Sequence, residues 1–423
     1  MRVQLTPTSR TSSVRGRLGA AACLLLAAGM PAMAQAESGA TTQFDATALL
    51  YGERNRADVA EPTARITRRF ADGQSLSAQF GFDVITGASP SGACPSGVAQ
   101  TTTSASGTAT TIPPGQVPLN AFKDSRYAAD LEWQKPFLRS FLSTIGGHVS
   151  REKDYQSLGA NGKLSVDLLQ RRTTLTVGGG VNHDRVFPVG GVPFGLSDGS
   201  TPAASSAMPK DVSTVMLGLS QVVSRRWLVG VNATRTLERG YLSEPYKVLS
   251  VLDGTTGTPS GQRAEKRPAT RERRSLLASS VYHLTADVLS LSYRYYRDDW
   301  RVHSHTFDAR YRRELGDDRY LEPHLRYYSQ SAASFFRFGL VDGAALPEYA
   351  TADYRLGALR SVTIGATYGF RIPGRPGEWT VRAEYMGQFG NGHPGDAVGI
   401  QRQFDLFPTV HIGSLLVGYS VEF

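Results

Sequence analysis

Two histidines are spaced as metal ligands often are. His303 and His305 are separated by a single residue, so both imidazoles would lie on one face of a β-strand. No third ligand follows at a telling distance, and Asp308 falls on the opposite face. We therefore interpret the two histidines as a pair of rings near the rim of a sheet. We expect no bound metal and no cofactor.

Two further patterns supply residue types found in hydrolases. Residues 195–199 read Gly-Leu-Ser-Asp-Gly, which matches the nucleophile elbow, but that motif has meaning only between a strand and a helix, and here it lies in a loop. Asn182, His183 and Asp184, together with Ser292, supply the residue types of a nucleophile, a base and an orienting group. Nothing in the sequence brings these residues together. A hydrolase stays the enzyme alternative, and we predict no catalytic residues.

The amino terminus predicts export from the cell. Residues 1–17 carry four arginines and no acid, residues 18–30 are mostly apolar, and Ala34-Gln-Ala36 offers small residues for cleavage. This order is that of a bacterial secretory signal peptide, which we place at residues 1–36. Cleavage would leave one cysteine, Cys94, and therefore no internal disulfide.

The charge balance of the mature chain gives little support to a nucleic-acid partner. The signal peptide removes four of the nine excess positive charges, so five remain. No mature stretch approaches about 18 consecutive apolar residues, which leaves no helical membrane span. If this chain crosses a membrane, closed strands are the other way to satisfy its backbone in lipid.

Alternation of apolar and polar residues predicts sixteen strands. Apolar residues at every second position of 76–84 and 362–370 oppose small or polar residues on the other face. Pro323 is the weakest fit, because proline removes a donor from the ladder. The predicted strands lie near 43–53, 61–70, 74–85, 125–134, 141–152, 160–170, 173–183, 211–223, 226–238, 274–284, 287–297, 301–313, 319–331, 358–371, 378–388 and 411–423.

The connections between these strands indicate an antiparallel barrel. All five long connections follow odd-numbered strands, and tight turns follow even-numbered ones, as long loops on one rim would require. Most of the strands run near ten to thirteen residues, which suits a tilted crossing of the hydrocarbon layer. With both termini periplasmic, the long loops face outside. The long connections are 86–124, 184–210, 239–273, 332–357 and 389–410.

The last strand has one apolar and aromatic face that ends at the final residue. Such a strand looks like the closing strand of a bacterial outer-membrane barrel. We interpret its alternate residues as an assembly signal that the barrel-assembly machinery recognises. These residues are Leu415, Val417, Tyr419, Val421 and Phe423.

Six segments, taken together and in order, carry a family resemblance. They are Asp83-Val-Ile-Thr-Gly-Ala-Ser-Pro90, Arg151-Glu-Lys-Asp-Tyr-Gln-Ser157, Gly240-Tyr-Leu-Ser-Glu-Pro-Tyr-Lys247, Arg267-Pro-Ala-Thr-Arg271, Ser292-Tyr-Arg-Tyr-Tyr-Arg-Asp-Asp-Trp300 and Pro323-His-Leu-Arg-Tyr-Tyr-Ser-Gln-Ser331. They resemble an uncharacterised family of proteobacterial outer-membrane proteins catalogued as domain of unknown function 3570. The resemblance implies an outer-membrane location and a barrel. It implies no activity and carries over no functional residue.

The polar face of the predicted strands would line the bore of such a barrel. The candidates are mixed in sign, which fits a water-filled and weakly selective path. The same set fits a lumen closed by its own ion pairs, and the sequence does not separate the two. The candidates are Asp83, Asp130, Glu132, Arg294, Asp308, Arg310, Arg312, Arg326, Arg382 and Glu384.

A dense basic run, residues 263–274, closes the third long connection. One interpretation is a solvated loop. The functional alternatives are cations that hold lipopolysaccharide phosphates outside the cell, or cations that fold inward and favour anions.

We predict an all-β fold in which residues 37–423 form a sixteen-stranded transmembrane antiparallel barrel in the outer membrane of a Gram-negative cell. Sixteen strands generally leave an aqueous bore, so we expect a porin-like passive channel for small solutes, narrowed by loop 86–124, and no enzyme. Alternatives are a structural, adhesive or accessory barrel serving a periplasmic partner, and the less favoured hydrolase. The expected partners are outer-membrane lipid, lipopolysaccharide, the assembly machinery and small solutes.

Overall fold

The computed structural model describes residues 39–103, 109–138, 140–198 and 203–423, so the predicted signal peptide lies outside it. Sixteen strands of this part form one closed antiparallel barrel, in which the first strand pairs with the last. The prediction of an all-β, sixteen-stranded barrel is confirmed. The barrel strands are β1 (Thr41–Glu53), β2 (Ala57–Arg69), β3 (Ser75–Pro90), β6 (Leu119–Phe137), β7 (Phe141–Arg151), β8 (Tyr155–Leu168), β9 (Thr173–Val186), β10 (Met208–Ser224), β11 (Trp227–Gly240), β14 (Thr270–His283), β15 (Val288–Asp298), β16 (His303–Glu314), β17 (Arg319–Gln330), β19 (Leu359–Phe370), β20 (Glu378–Gly390) and β21 (Val410–Glu422).

Large apolar side chains cover the outer face of the barrel. Phe80, Leu131 and Ile364 lie well inside their strands, yet they are 61%, 56% and 55% exposed. Apolar surface left in water forgoes about 25 cal/mol per Å² of burial, and soluble proteins avoid continuous patches of it. An outer face of this kind suits contact with hydrocarbon. The alternate residues of each strand point to the bore and are mostly polar.

Two prolines lie inside barrel strands and interrupt the ladder on one side. Pro62 pairs with β1, but the β2–β3 ladder has no pairs between Ala60 and Thr63. Pro323 pairs with β19, and the β16–β17 ladder has a gap of the same length beside it. Proline has no N–H to donate, so each strand continues through one intact ladder and one local gap. The strand predicted through Pro323 is therefore correct.

Long loops gather on one rim and short turns on the other. The first long loop is shorter than predicted, because β3 continues to Pro90 and β6 already begins at Leu119, with pairing throughout. The predicted bounds 86–124 were wrong for this reason. The long loops are 91–118, 187–207, 241–269, 331–358 and 391–409.

The described parts of these five loops, with residues 299–302, fold together into what we call the loop cap. It contains five short strands and two turns of 3-10 helix. No helix in the described ranges is long and apolar enough to span a membrane. The short elements are the hairpin β4 (Gln100–Thr103) and β5 (Ala109–Ile112), the sheet of β12 (Val248–Leu252), β13 (Pro259–Ala264) and β18 (Gly339–Val341), and the 3-10 turns Tyr354–Leu356 and Gly399–Gln403.

The loop cap has apolar cores of its own. One core brings together Leu196, Leu249 and Leu340 from three different loops. A second core packs Trp300 against Phe335, with ring centroids 5.1 Å apart. Each such side chain stabilises the fold by roughly 1.5–3 kcal/mol when fully buried. The buried apolar clusters of the described chain therefore lie in the cap, above a polar bore.

Candidate binding site in the barrel bore

A charged group, here called the bore cluster, lies on the inner face of β16, β17 and β20. The buried His324 ring lies between two carboxylates, with Nε2 2.9 Å from Asp308 Oδ2 and Nδ1 2.8 Å from Glu384 Oε1. Arg326 Nε donates to the same Asp308 oxygen at 2.8 Å. Arg310 Nε lies 3.4 Å from the other oxygen. Two acids and three bases therefore share one hydrogen-bonded group.

Gly365 lets the bore cluster reach across a whole strand. In the ladder, His324 of β17 lies opposite Gly365 of β19, which in turn lies opposite Glu384 of β20. A Cβ atom at position 365 would lie 2.6 Å from Glu384 Cγ. Because glycine has none, the imidazole and the carboxylate meet over the β19 backbone.

Most other predicted bore residues have a partner close by on the same or an adjacent strand. Glu132 and Arg294 have no ion-pair partner among the described residues. These pairs join neighbours along the wall, and none of them spans the bore. The contacts are Asp83 with Arg126, Asp130 Oδ1 with His148 Nδ1 at 2.7 Å, Arg312 Nε with Glu314 Oε1 at 2.6 Å, and Arg382 Nε with Thr367 Oγ1 at 3.1 Å.

A cavity of about 730 Å³ lies against this wall. Ser279 and Ser292 line it with hydroxyl groups, and Arg294 and Arg326 with guanidinium groups. Arg355 of the loop cap also lines it. The lining contains four arginines and a single carboxylate, which makes the cavity electropositive.

A second cavity, of about 410 Å³, continues from the first towards the loop cap. Arg294 and Arg355 line both cavities. Arg271 and Arg273 also line the second one, but each is paired with a carboxylate of the wall. The unpaired positive charge at the junction therefore comes from Arg294, whose side chain has no ion-pair partner in the described ranges.

Buried charges fasten the loop cap above these cavities. Arg267 Nη2 donates to Glu265 Oε2 at 3.1 Å and to Asp353 Oδ2 at 2.8 Å. Burial opposes ionisation of Asp353, but Arg355, then Arg267 and Lys247, outweigh it and hold the pKa of Asp353 below its usual range. Burial raises the pKa of Glu265, and Arg267 offsets this in part. Burial likewise lowers the pKa of Lys247.

The residue types of a hydrolase do not converge. His183 and Asp184 are successive residues of β9 and therefore point to opposite faces. His183 is exposed and pairs with Asp211 on the outside, whereas the buried Asp184 accepts a hydrogen bond from Ser157 at 2.6 Å. Ser292 lies on β15, four strands further round the barrel. No nucleophile, base and orienting group meet at these positions.

The two spaced histidines face outward and have separate partners. His303 Nδ1 lies 3.0 Å from Ser331 Oγ, and His305 Nδ1 lies 2.8 Å from the Tyr293 hydroxyl. The His305 and Tyr293 rings are stacked, with centroids 6.1 Å apart.

Ser197, the serine of the elbow pattern, donates to a backbone carbonyl of its own loop. Gly199, which ends that pattern, lies outside the described residues.

The basic run 263–274 is not a solvated loop, and that interpretation was wrong. The run spans the end of β13 and the start of β14, and its arginines have specific partners. Arg267 joins the buried charges of the cap, while Arg271 pairs with Asp298 and stacks over Trp300, 4.2 Å from the ring centroid. These contacts bury cations that the sequence alone presents as a hydrophilic stretch.

Three carboxylates form a group that could hold a divalent cation. Oxygens of Asp124, Glu152 and Asp154 lie within 4.8 Å of one another at the loop rim. Burial raises the pKa of both Glu152 and Asp154, and like charges nearby add to the effect. No sequence pattern predicts this group, because Asp124 reaches the other two only through the pairing of β6 with β7.

The terminal strand β21 closes the barrel against β1 and β20. Phe423 and Thr42 exchange two backbone hydrogen bonds, at 2.7 and 2.9 Å. The Tyr419 ring packs on Trp379 at a centroid distance of 4.8 Å, and Leu415 is exposed on the outer face. The role of this strand as an assembly signal stays a prediction.

Sequence reasoning missed three residues that build the site. His324 shares a face with Arg326, so the alternation that selected Arg326 could have found it. Gly365 and Arg355 left no such signal. A glycine reveals its role only when the register of three strands is known, and Arg355 belongs to a loop whose path depends on the rest of the cap.

Comparison with known proteins identifies a family but gives no curated relative. A family profile described as "Protein of unknown function (DUF3570)" matches residues 15–421. No curated protein matches the chain. Among solved structures, the chain is similar to the outer membrane protein OpdK of Pseudomonas aeruginosa, with a TM-score of 0.40 and 9% identity over 91% of this chain and 99% of that one. It is also similar to OccK11 (OpdR) of the same species (TM-score 0.40, 11% identity, coverage 91% and 96%) and to a mutant of the P. aeruginosa ferric enterobactin receptor PfeA (0.44, 9%, 91% and 60%).

Proposed function

The chain belongs to the DUF3570 family, and we propose that it forms a passive outer-membrane channel for small solutes, with a bore that favours anions. The outward apolar face is the surface that lipid would cover. The ten charged residues predicted for the bore are assigned to its lumen, and the loop cap to the outside of the cell.

The polar inner face of the barrel is the observation that carries this proposal. Sixteen strands enclose more space than side chains fill. Here the inner wall bears serines, threonines and paired charges, and cavities of about 730 and 410 Å³ lie along it. The described apolar clusters lie in the cap. A wall of this composition supports a water-filled path.

Arg294 supports a preference for anions. The other arginines around the two cavities have carboxylate partners, whereas Arg294 has none among the described residues and is exposed in the bore. A unit charge attracts an anion about 6 Å away by roughly 0.7 kcal/mol even at the dielectric constant of water, which is about threefold in local concentration. Hydroxyls of Ser279 and Ser292 beside it can solvate a carboxylate or an inorganic anion.

Planar bilayer recording tests the proposal. We expect the purified full-length chain to give discrete conductance steps. In a KCl gradient, its reversal potential should be shifted from zero towards the equilibrium potential of chloride. Arg294→Gln should reduce the anion preference by roughly threefold while leaving the steps in place. Arg313→Gln is the matched control, since Arg313 is an exposed arginine near the turn rim of β16.

Two results would count against this function. Equal anion preference in the wild type and in Arg294→Gln would remove the role of Arg294. A silent bilayer, with correct folding shown by heat-modifiable gel mobility, would remove the channel itself.

The loop cap favours one second candidate, a closed barrel that serves as a structural, adhesive or accessory protein. The cap is joined by buried ion pairs and by two apolar cores, which is more organisation than flexible loops need. If the cap seals the bore, the exposed surface of the cap would be the functional part. The silent-bilayer result above is what this candidate predicts.

A further inference from the structure

Four adjacent strands carry a row of three arginines and a histidine on the outer surface of the barrel. Arg235 of β11 lies directly opposite Arg274 of β14, which lies opposite Arg297 of β15. Arg297 in turn lies opposite His303 of β16. All four are exposed. Each lies an even number of residues from outward apolar residues of its own strand, such as Phe307 in β16, and so shares the outer face with them. We call these four residues the cationic row.

The cationic row lies at the loop-side edge of the apolar band. On each of the four strands, the residue eight positions from the cationic row towards the turn rim is large. These four large residues also lie opposite one another. Eight residues span about 26 Å along a strand, or roughly 20 Å in height at a tilt near 40°, close to the thickness of the apolar band of a membrane barrel. The turn-side residues are Trp227, Tyr282, Leu289 and Tyr311.

The positive charges of the cationic row are only partly compensated. Like charges directly opposite one another on a sheet are destabilising. Glu272 accepts hydrogen bonds from Arg235 at 2.9 and 3.1 Å and from Arg274 at 2.6 Å. Arg297 and His303 have no carboxylate partner among the described residues. One acid therefore balances the three arginines of the row at the edge of the lipid.

We propose that the cationic row binds the phosphate groups of a glycolipid in the loop-side leaflet, of the lipid A type. Guanidinium groups match phosphate oxygens in bidentate pairs. The residues one step nearer the middle of the band on the same face include Ala233, Leu276 and Tyr295, which can contact acyl chains. The row would thus hold a headgroup and its chains together. This inference rests on the proposed outer-membrane location and does not require that the bore conduct.

Native mass spectrometry of the folded, detergent-purified full chain tests the site. The probes are lipid A with two phosphates, monophosphoryl lipid A, and inorganic phosphate. We expect lipid A to bind at least ten times more tightly than the monophosphoryl form, and the triple variant Arg235→Gln, Arg274→Gln, Arg297→Gln to lose this preference. The control variant is Arg313→Gln. Arg313 is an exposed arginine of β16 near the turn rim, so this variant should bind lipid A as the wild type does.

A second variant separates binding from folding. Glu272→Gln removes the competing carboxylate, so it should tighten lipid A binding several-fold, which a purely structural role of the row would not produce. Unchanged affinity in Glu272→Gln, or in a folded triple variant, would overturn the proposal. Inorganic phosphate that displaces lipid A at equal concentration would overturn the assignment to a lipid. None of these outcomes depends on the conductance that tests the channel.

Discussion

A glycine, which has no side chain, determines how the bore cluster is assembled. Glu384 and His324 belong to strands that do not touch, and they meet because Gly365 on the strand between them leaves the space open. The partnership gives the buried imidazole a carboxylate on each side. A charged group on the wall of the proposed channel is thereby held in one place.

Filling that space should destabilise the barrel. In Gly365→Ala the new methyl group would lie 2.6 Å from both Ala383 O and Glu384 Cγ, so backbone or side chain must move. We expect a loss of about 1–3 kcal/mol in the free energy of unfolding, as for other overpacked sites, measured by urea unfolding from lipid vesicles. Gly413→Ala is the control, because a methyl group there would meet no atom within 4 Å. Equal unfolding midpoints for the two variants would contradict the close packing at Gly365.

Alternation predicts which residues share a face, but it does not predict their partners. Asp308 and Arg326 were both predicted for the bore, and the structure joins them through one oxygen. That contact depends on the register between β16 and β17, which the sequence does not display. The assignment of the ten charged residues to the lumen remains part of the proposed function.

At the scale of the strands, sequence and structure agree because hydrocarbon imposes a strict period of two. Sixteen predicted strands correspond one to one to the sixteen of the barrel, and Pro323 lies within one of them. The loops were predicted as long connections on one rim, with no structure of their own assigned to them. Their fold depends on contacts between segments far apart, such as Cys94 N with Ser250 Oγ at 2.9 Å and Gln401 Nε2 with Pro95 O at 2.9 Å. The local sequence pattern does not predict such contacts.

The outer face can be tested at the centre of one strand. Ile364 lies midway along β19 and is 55% exposed on the apolar side. Ile364→Arg should lower the free energy of unfolding in lipid by about 2–4 kcal/mol, the cost of a cation near the middle of the bilayer. Ser292→Arg is the comparison, since Ser292 lines the large cavity opposite Asp308, where a guanidinium finds both space and a carboxylate. A similar loss in both variants would mean that the two faces are wrongly assigned.

At the scale of the whole molecule, the loop cap is the part that we expect to control access to the bore. Loop 91–118, which we expect to narrow the bore, packs its buried residues into the cap with three other loops. Deleting it would expose those contacts and loosen the cap as a unit. We therefore expect the cap as a unit, with its buried ion pairs, to gate the proposed channel.

Cys94 offers a direct measure of whether the cap opens. Its side chain is 3% exposed, its Sγ donates to Phe338 O at 3.0 Å, and burial raises the pKa of the thiol to about 12. In a closed cap both reagent access and thiolate formation are suppressed, whereas an opened cap returns the thiol towards an ordinary pKa near 8.5. The rate of maleimide labelling at pH 7.5 therefore reports the open population.

Removing the central cation of the cap should raise that rate sharply. Arg267→Gln leaves Glu265 and Asp353 buried without their shared partner, a change that typically costs about 3–5 kcal/mol. If that energy is lost from cap closure, labelling of Cys94 rises by roughly a hundredfold or more, because local opening follows its own free energy. Arg337→Gln, at an exposed arginine of the cap, should label as slowly as the wild type. Slow labelling in a folded Arg267→Gln protein would show that the apolar cores alone hold the cap shut, and that its buried charges do not control access to the bore.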